Sequence, residues 1–174
     1  ETSVNIQLHS FTMHDASAFA SAINESLDSL LPWLSWAHAD YREEEARQWF
    51  SFTHQQKAKG IADEWGIYDD EEQLLGGAGL RYPQQSGALC SIGYWVRQSQ
   101  QRKGIARQAV ALLAQRAFQR PEIDTIEILA AESNIASRAV AVASGAELVD
   151  MRFGLIVLAS GPVNTAIYHL HRAV

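Results

Sequence analysis

Residues 92–118 read IGYWVRQSQQRKGIARQAVALLAQRAF, and most of the expected architecture follows from this stretch. Residues 92–96 are apolar on both faces, which predicts a central strand buried on both sides. Residues 97–103 form a polar loop. Gly104 then opens an amphipathic helix, since apolar side chains recur at helical spacing up to Ala117. The stretch therefore predicts a strand, a short polar loop and a helix whose first turn begins with glycine.

The start of this helix has the chemistry of an anion-binding site. The first amides of a helix have no internal partner, and the helix dipole adds partial positive charge. Gly104 has no side chain to keep a ligand from the backbone, and Ala106 is nearly as small. Arg102, Lys103 and Arg107 add positive charge that suits phosphate. The structural alternative is an ordinary strand–helix turn with solvated basic residues.

The sequence QRKGIA at residues 101–106 resembles the Gln/Arg-x-x-Gly-x-Gly/Ala signature of the Gcn5-related N-acetyltransferases, the GNAT family. In that family this loop holds the pyrophosphate of acetyl-CoA, and the resemblance implies a cofactor-binding set. Its members here are Gln101, Arg102, Lys103, Gly104, Ile105, Ala106 and Arg107. The preceding Ile-Gly-Tyr-Trp-Val is similar to the RimJ/RimL branch, which acetylates the N-termini of ribosomal proteins. The family implies an α/β (α+β) fold with a mixed, mostly antiparallel central sheet and helices on both faces.

A second match lies downstream, where Asn134-Ile135-Ala136-Ser137 is followed by Gly145. It resembles the Asn-x-x-Ser of the short helix beside the pantetheine arm in the family, with the glycine that ends that helix. The resemblance implies that the Asn134 side chain contacts the cofactor. Asn134 also suits the N-cap of this helix, and the two roles are compatible.

Acetyl transfer to an amine needs a stabilised oxyanion, a proton acceptor for the amine and a proton for the leaving thiolate. A backbone amide at a splayed strand end can hold the carbonyl, and the candidates are Tyr94, Trp95 and Val96. Leu129 stands where many relatives carry a glutamate base. Ala141 stands where many carry a tyrosine acid.

Two other residues are therefore the catalytic candidates. Ser137 is expected to protonate the thiolate, as a serine at this position can in the RimL-like branch. Glu127 shares a strand face with Leu129 and is a candidate base, directly or through water. The alternatives are that Glu127 is a surface carboxylate and that a neutral amine needs only a water chain.

The substrate candidates are Trp33 and Trp36, in the aromatic segment that follows the first helix. Rigid aromatic side chains suit the wall of a substrate pocket. The same two tryptophans are common at this position in the resembling branch. A loop folded onto the core is the alternative. The expected acceptor is an amine, either a protein N-terminus or a small molecule.

Composition narrows the function classes. The 174 residues fit one domain spanning 1–174, and the net charge of −6 argues against nucleic acid as a partner. No apolar run approaches the ~20 residues of a membrane span and no signal peptide opens the chain, so we expect a cytoplasmic protein without membrane contact. The histidines show no metal-ligand spacing, so no metal is expected.

The remaining elements follow from periodicity and breakers. Helices are predicted over residues 14–31, over 41–59 with Asp40 as N-cap, and over 134–144. Strands are predicted at 4–8, 64–68, 74–82, 89–97, 125–129, 147–158 and 163–170. An apolar strip on the last two strands would allow subunits to pair, so a homodimer is one expectation. Two alternatives to catalysis stay open, namely an acyl-CoA-binding sensor or interaction module and an ATP-binding domain that uses the same helix terminus.

Overall fold

The computed structural model describes residues 4–83 and 87–173, and its centre is a seven-stranded sheet. The strands lie in the order β1-β2-β3-β4-β5-β7-β6. They are β1 Gln7–His9, β2 Ala62–Tyr68, β3 Leu74–Arg81, β4 Leu89–Val96, β5 Thr125–Ala131, β6 Glu147–Leu158 and β7 Gly161–His171. Every neighbouring pair is antiparallel except β4 and β5, which run parallel. The predicted mixed, mostly antiparallel sheet is confirmed.

Helices cover both faces of the sheet. They are α1 Ala16–Glu25, α2 Leu27–Leu30, α3 Glu43–Ala58, α4 Ile105–Ala117 and α5 Ile135–Ala143. Helices α4 and α5 pack on one face, against β4 and β5, while α1 and α3 pack on the other, against β3 and β2. In the described parts of the chain, no helix is both long and apolar enough to cross a membrane.

Alternating side chains of β4 divide the core into two layers. Tyr94 and Val96 point into the cluster that contains the apolar face of α4. Trp95 points the opposite way, into the cluster that contains Phe19 of α1 and Phe50 of α3. Because acetyl-CoA is expected at the start of α4 and the acceptor at Trp33 and Trp36, we call the first side of the sheet the cofactor face and the second the acceptor face.

The predicted helix over residues 14–31 is interrupted at Ser26. Helix α1 ends at Glu25 and α2 begins at Leu27, because Ser26 is fully buried and its hydroxyl accepts a hydrogen bond of 2.8 Å from the Gln98 amide. A tertiary contact thus sets a boundary that helical periodicity does not show.

Asp40 was predicted as the N-cap of the next helix, and this prediction is wrong. Asp40 has a φ of 58°, and α3 begins only at Glu43. The Glu45 carboxylate accepts from the Arg42 amide at 2.8 Å. The first turn is therefore fixed by a glutamate inside the helix rather than by the aspartate before it.

Candidate active site

Strands β4 and β5 part in the middle of the sheet. They pair from Leu89 opposite Thr125 to Ile92 opposite Ile128, and no further. Beyond this point β4 stays paired with β3, and β5 with β7. A gap therefore opens between residues 93–96 and 129–131, lined by backbone groups that have lost their sheet partner.

The register shows which amides face this gap. The Arg97 amide donates to the Leu75 carbonyl of β3 at 2.7 Å. Backbone groups alternate in direction along a strand, so Trp95 also turns its amide towards β3. Tyr94 and Val96 turn theirs towards the gap. Of the three predicted carbonyl-holding residues, these two present free amides to a ligand in the gap.

The predicted anion loop leads from the end of β4 to α4. Gly104 has a φ of 74° and Arg102 a φ of 64°, so the backbone here is left-handed at two positions. Within the described residues, no amide of 102–107 donates a hydrogen bond to protein. A Cβ on Gly104 would meet nothing within 4 Å, which leaves the approach to these amides open.

The side chains around the loop complete a cationic surface. Arg102, Lys103 and Arg107 are exposed, whereas Ile105 is buried and anchors the first turn of α4 in the core. The Gln101 side chain donates to the Val96 carbonyl at 3.2 Å, which connects the loop to the strand end at the gap. The loop and the gap thus form one continuous site.

Asn134 and Ser137 lie at the start of α5, next to the gap. The Asn134 side-chain oxygen accepts from the Ser137 amide at 3.2 Å, so Asn134 is the N-cap as expected. Its side-chain nitrogen donates to none of the described residues. The Ser137 hydroxyl lies 3.5 Å from the Tyr94 hydroxyl, and burial raises the pKa of that tyrosine. Two hydroxyl groups therefore meet on the cofactor face beside the gap.

The acceptor face beside the gap carries an aromatic group. The Trp36 ring lies 6.1 Å from the Trp95 ring and 6.3 Å from the Tyr41 ring, between centroids. Trp36 is 42% exposed, so part of its ring is accessible to a ligand beside the gap. Trp33 is only partly exposed. The structure brings Trp36 to the gap, as a pocket wall requires.

Glu127 also lies on the acceptor face, but farther along the sheet. It stands opposite Ser91 of β4 and 3.6 Å from His169 of β7. Ser91 is four residues from Trp95, which corresponds to about 13 Å along a strand. An amine bound at Trp95 would therefore lie too far from Glu127 for direct contact, and a role as base would require intervening water molecules.

Sequence reasoning missed two carboxylates. Glu25 binds Arg97 at the end of β4, and Glu64 of β2 lies on the acceptor face over Gly79. The glycines of β3 indicate where the Glu64 side chain can lie. A strand with so few side chains leaves room for a side chain of the neighbouring strand to lie across it. Among the described residues, no group of three or more His, Cys, Asp or Glu side chains could hold a metal.

The sequence matches a protein-family model. The model described as "Acetyltransferase (GNAT) domain" matches residues 5–147, which include the gap, the anion loop and α5. No curated protein matches the sequence.

Solved structures match over nearly the whole chain. A putative ribosomal-protein-serine acetyltransferase from Vibrio cholerae is 24% identical with a TM-score of 0.84, covering 99% of this chain and 96% of that one. RimL, a ribosomal L7/L12 alpha-N-protein acetyltransferase in complex with coenzyme A, is 20% identical with a TM-score of 0.87, covering 98% and 96%. The microcin C7 self-immunity acetyltransferase MccE, in complex with acetyl-CoA and AMP, is 18% identical with a TM-score of 0.89, covering 96% and 92%. At these identities the likeness shows the fold.

Proposed function

This chain belongs to the acetyltransferase (GNAT) family and transfers the acetyl group of acetyl-CoA to an amine, and we propose that this amine is the α-amine of a protein N-terminus. Two of the similar structures support this acceptor, since they are a putative ribosomal-protein-serine acetyltransferase and an alpha-N-protein acetyltransferase. The openness of the site supports it as well. A Cβ on Gly93, at the start of the gap, would meet nothing within 4 Å, and Trp36 is exposed beside it.

The residues present fit acetyl-CoA. Free amides at residues 102–107 and three exposed cationic side chains suit a pyrophosphate. Tyr94 and Val96 offer amides along the gap, where an extended pantetheine arm would form strand-like hydrogen bonds. When bound, acetyl-CoA supplies the thioester that the amine attacks.

The chain's own residues then have separate tasks. The Tyr94 and Val96 amides hold and polarise the carbonyl oxygen, since amides aimed at a developing negative charge stabilise it. Trp36 and Trp95 orient the acceptor on the other face of the sheet. Ser137 donates its hydroxyl proton to the departing sulfur as the new N–C bond replaces the C–S bond, and the proton that the attacking nitrogen releases restores the hydroxyl through water. Glu127 remains a candidate base through water.

Thiol release from acetyl-CoA, with mass spectrometry of the product, tests the acceptor. The panel holds a peptide with a free N-terminus and no lysine, the same peptide blocked at its N-terminus, a blocked peptide with one lysine, and small primary amines. We expect thiol release only with the free N-terminus and the acetyl group on its α-nitrogen. If the small amines are acetylated faster than the peptide with the free N-terminus, the proposed acceptor is wrong and the natural acceptor is a small molecule.

A further inference from the structure

Glu64 begins a row of three residues that crosses three neighbouring strands. Glu64 of β2 lies opposite Gly79 of β3, and Gly79 lies opposite Gly93 of β4. All three belong to the acceptor face. Gly77, two residues from Gly79, shows this directly, because a Cβ there would meet the Trp95 indole nitrogen at 2.6 Å.

The Glu64 side chain points along this row towards the gap. A Cβ on Gly79 would overlap both carboxylate oxygens of Glu64, so the carboxylate lies directly over that glycine. Above Gly93 the space is open. Neighbouring strands are about 4.8 Å apart, so the carboxylate lies about one strand spacing from the start of the gap. Only bare backbone separates the two.

The described residues around this carboxylate provide no hydrogen-bonding partner for it. None of the described residues gives Glu64 a hydrogen bond or an ion pair within 4 Å. Burial raises its pKa to about 7, the positive charge of Arg81 on β3 opposes this change, and the negative charge of Asp63 adds to it. Among the described residues, these are the two charged groups whose fields act on Glu64. The side chain is only partly exposed and its oxygens accept from no described protein group, so they are available to a donor from a ligand or from water.

We propose that Glu64 is the carboxylate that binds the acceptor's ammonium group and removes its proton. The proposal rests on the proposed function. The proton passes from the acceptor nitrogen to a Glu64 oxygen, directly or through one water, and the freed lone pair attacks the thioester carbon. As the C–S bond breaks, the sulfur takes a proton from Ser137. The second proton that the nitrogen loses passes through water to restore the Ser137 hydroxyl, and Glu64 later returns its own proton to solvent. Glu64 would thus provide the base that many relatives carry at the position where this chain has Leu129.

The α-amine of a peptide makes a suitable partner for this group. Its ordinary pKa is about 7.7–8, so most of it is protonated at neutral pH and must lose a proton before attack. A base that titrates near the working pH combines a useful unprotonated fraction with enough basicity. A lysine side chain, with a pKa near 10.4, would be matched less well.

Glu64→Gln tests the proposal, with Asp63→Asn as its matched control. Both variants remove one negative charge from β2, but Asp63 lies on the other face and accepts a 2.6 Å hydrogen bond from the Tyr82 hydroxyl. We expect Glu64→Gln to lower kcat/KM for the peptide by about a hundredfold or more, within the usual range for a general base. CoA affinity, measured by calorimetry, should stay within twofold. Asp63→Asn should keep its kcat/KM within threefold.

The pH profile separates a base from a merely structural residue. For wild type we expect kcat to rise with pH through the titration of Glu64 and then level off. In Glu64→Gln it should keep rising with pH, since only hydroxide or water then takes the proton. Glu127→Gln is measured alongside, because it is the competing base.

Each outcome decides a different question. If wild type turns over the peptide and Glu64→Gln matches it in rate and pH profile, the assignment of Glu64 is wrong. If Glu127→Gln alone shows the loss and the changed profile, the base is Glu127. If wild type acetylates no amine of the panel although it binds CoA, the proposed acceptor is wrong, and the assignment of Glu64 as its base falls with it. If wild type does turn over the peptide, Glu64→Asp is measured as well. A kcat/KM above that of Glu64→Gln would support the carboxylate, and a kcat/KM equal to it would count against the carboxylate.

Discussion

Arg97 and Glu25 connect the end of β4 to the end of α1. The Arg97 guanidinium donates to the two oxygens of the Glu25 carboxylate at 2.9 and 3.2 Å. The Ser99 amide donates to the same carboxylate at 3.2 Å, and the remaining Arg97 nitrogen donates to the Leu74 carbonyl at 2.9 Å. The loop that leads from β4 to α4 is thereby held against the end of α1, the helix that precedes the segment containing Trp36.

Glu25→Gln should destabilise the protein by about 1 kcal/mol, a value reduced by the partial exposure of the pair. The hydrogen bonds from Arg97 hold the pKa of Glu25 below its ordinary value near 4.5. A lowered pKa means that this stability is present above the ordinary value and is lost as pH falls through the folded-state value. Urea unfolding at pH 7 and pH 3.5 should show the difference between variant and wild type shrinking in acid.

The control for this variant is Asp150→Asn. Asp150 and Arg152 also form a close pair, at 2.7 Å, but both side chains are exposed on β6. We expect no measurable change in unfolding. Equal effects in the two variants would show that the Arg97–Glu25 pair contributes no more than a surface contact.

Gly104→Glu should abolish CoA binding while the protein still folds. A carboxylate at the free amides would occupy and repel the pyrophosphate. Gly60→Glu is the control, because Gly60 has a φ of 70° against 74° for Gly104, and neither position has protein within 4 Å of a Cβ. Both variants should lose about 1 kcal/mol of stability from the left-handed backbone. Calorimetry should show CoA binding lost only in Gly104→Glu; micromolar affinity there would contradict the loop assignment.

Ser137→Ala should lower kcat by about a hundredfold and leave CoA affinity unchanged. General acids contribute roughly a hundred- to ten-thousandfold, and a thiolate leaves easily enough to favour the lower end. Ser144→Ala, at the other end of α5, removes a hydroxyl that donates to the Val140 carbonyl at 2.8 Å. Its turnover should change less than threefold. Superimposed kcat–pH profiles of equal height for wild type and Ser137→Ala would make Ser137 structural.

Trp36→Ala should raise KM for the peptide about tenfold without changing KM for acetyl-CoA. The exposed ring stands beside Trp95, and aromatic contacts of this kind contribute about 0.5–1.5 kcal/mol beyond their buried area. Phe52→Ala on α3 is the control, since Phe52 is 48% exposed but stacks on Trp49 instead. An equal change in both KM values would place Trp36 outside the acceptor site.

Glu64→Gln should stabilise the protein at high pH. The folded-state pKa of Glu64 is raised, from an ordinary 4.5 to about 7, so the folded state binds the proton more tightly than the unfolded state. Wild type therefore loses stability as pH rises between these values, by as much as about 3 kcal/mol. The variant lacks this loss, and the difference in unfolding free energy should grow from pH 4 to pH 8. A constant difference across this range would show that Glu64 titrates normally.

The cofactor half of the site could be predicted because its determinants are local. Residues 101–107 are consecutive, and the free amides follow from a helix that starts after a glycine. Asn134 and Ser137 are three positions apart. At this spacing an N-cap side chain reaches the backbone amide that donates to it. None of these relations needs knowledge of distant strands.

The acceptor half could not be predicted in the same way. The row from Glu64 to Gly93 depends on the register of two strand pairs, and a shift of one residue would turn Glu64 to the other face. The break at Ser26 likewise depends on Gln98, far along the chain. Such contacts depend on how distant segments pack together, and the periodicity of one segment does not predict them.

The gap between β4 and β5 makes the sheet a partition with one opening. The anion loop, Tyr94 and Ser137 lie on one side of it, while Glu64 and Trp36 lie on the other. In the proposed reaction the two substrates approach from opposite sides and meet only at the opening. Neither then blocks the entrance of the other, and a spent thiol can leave while the acetylated chain end is still in place.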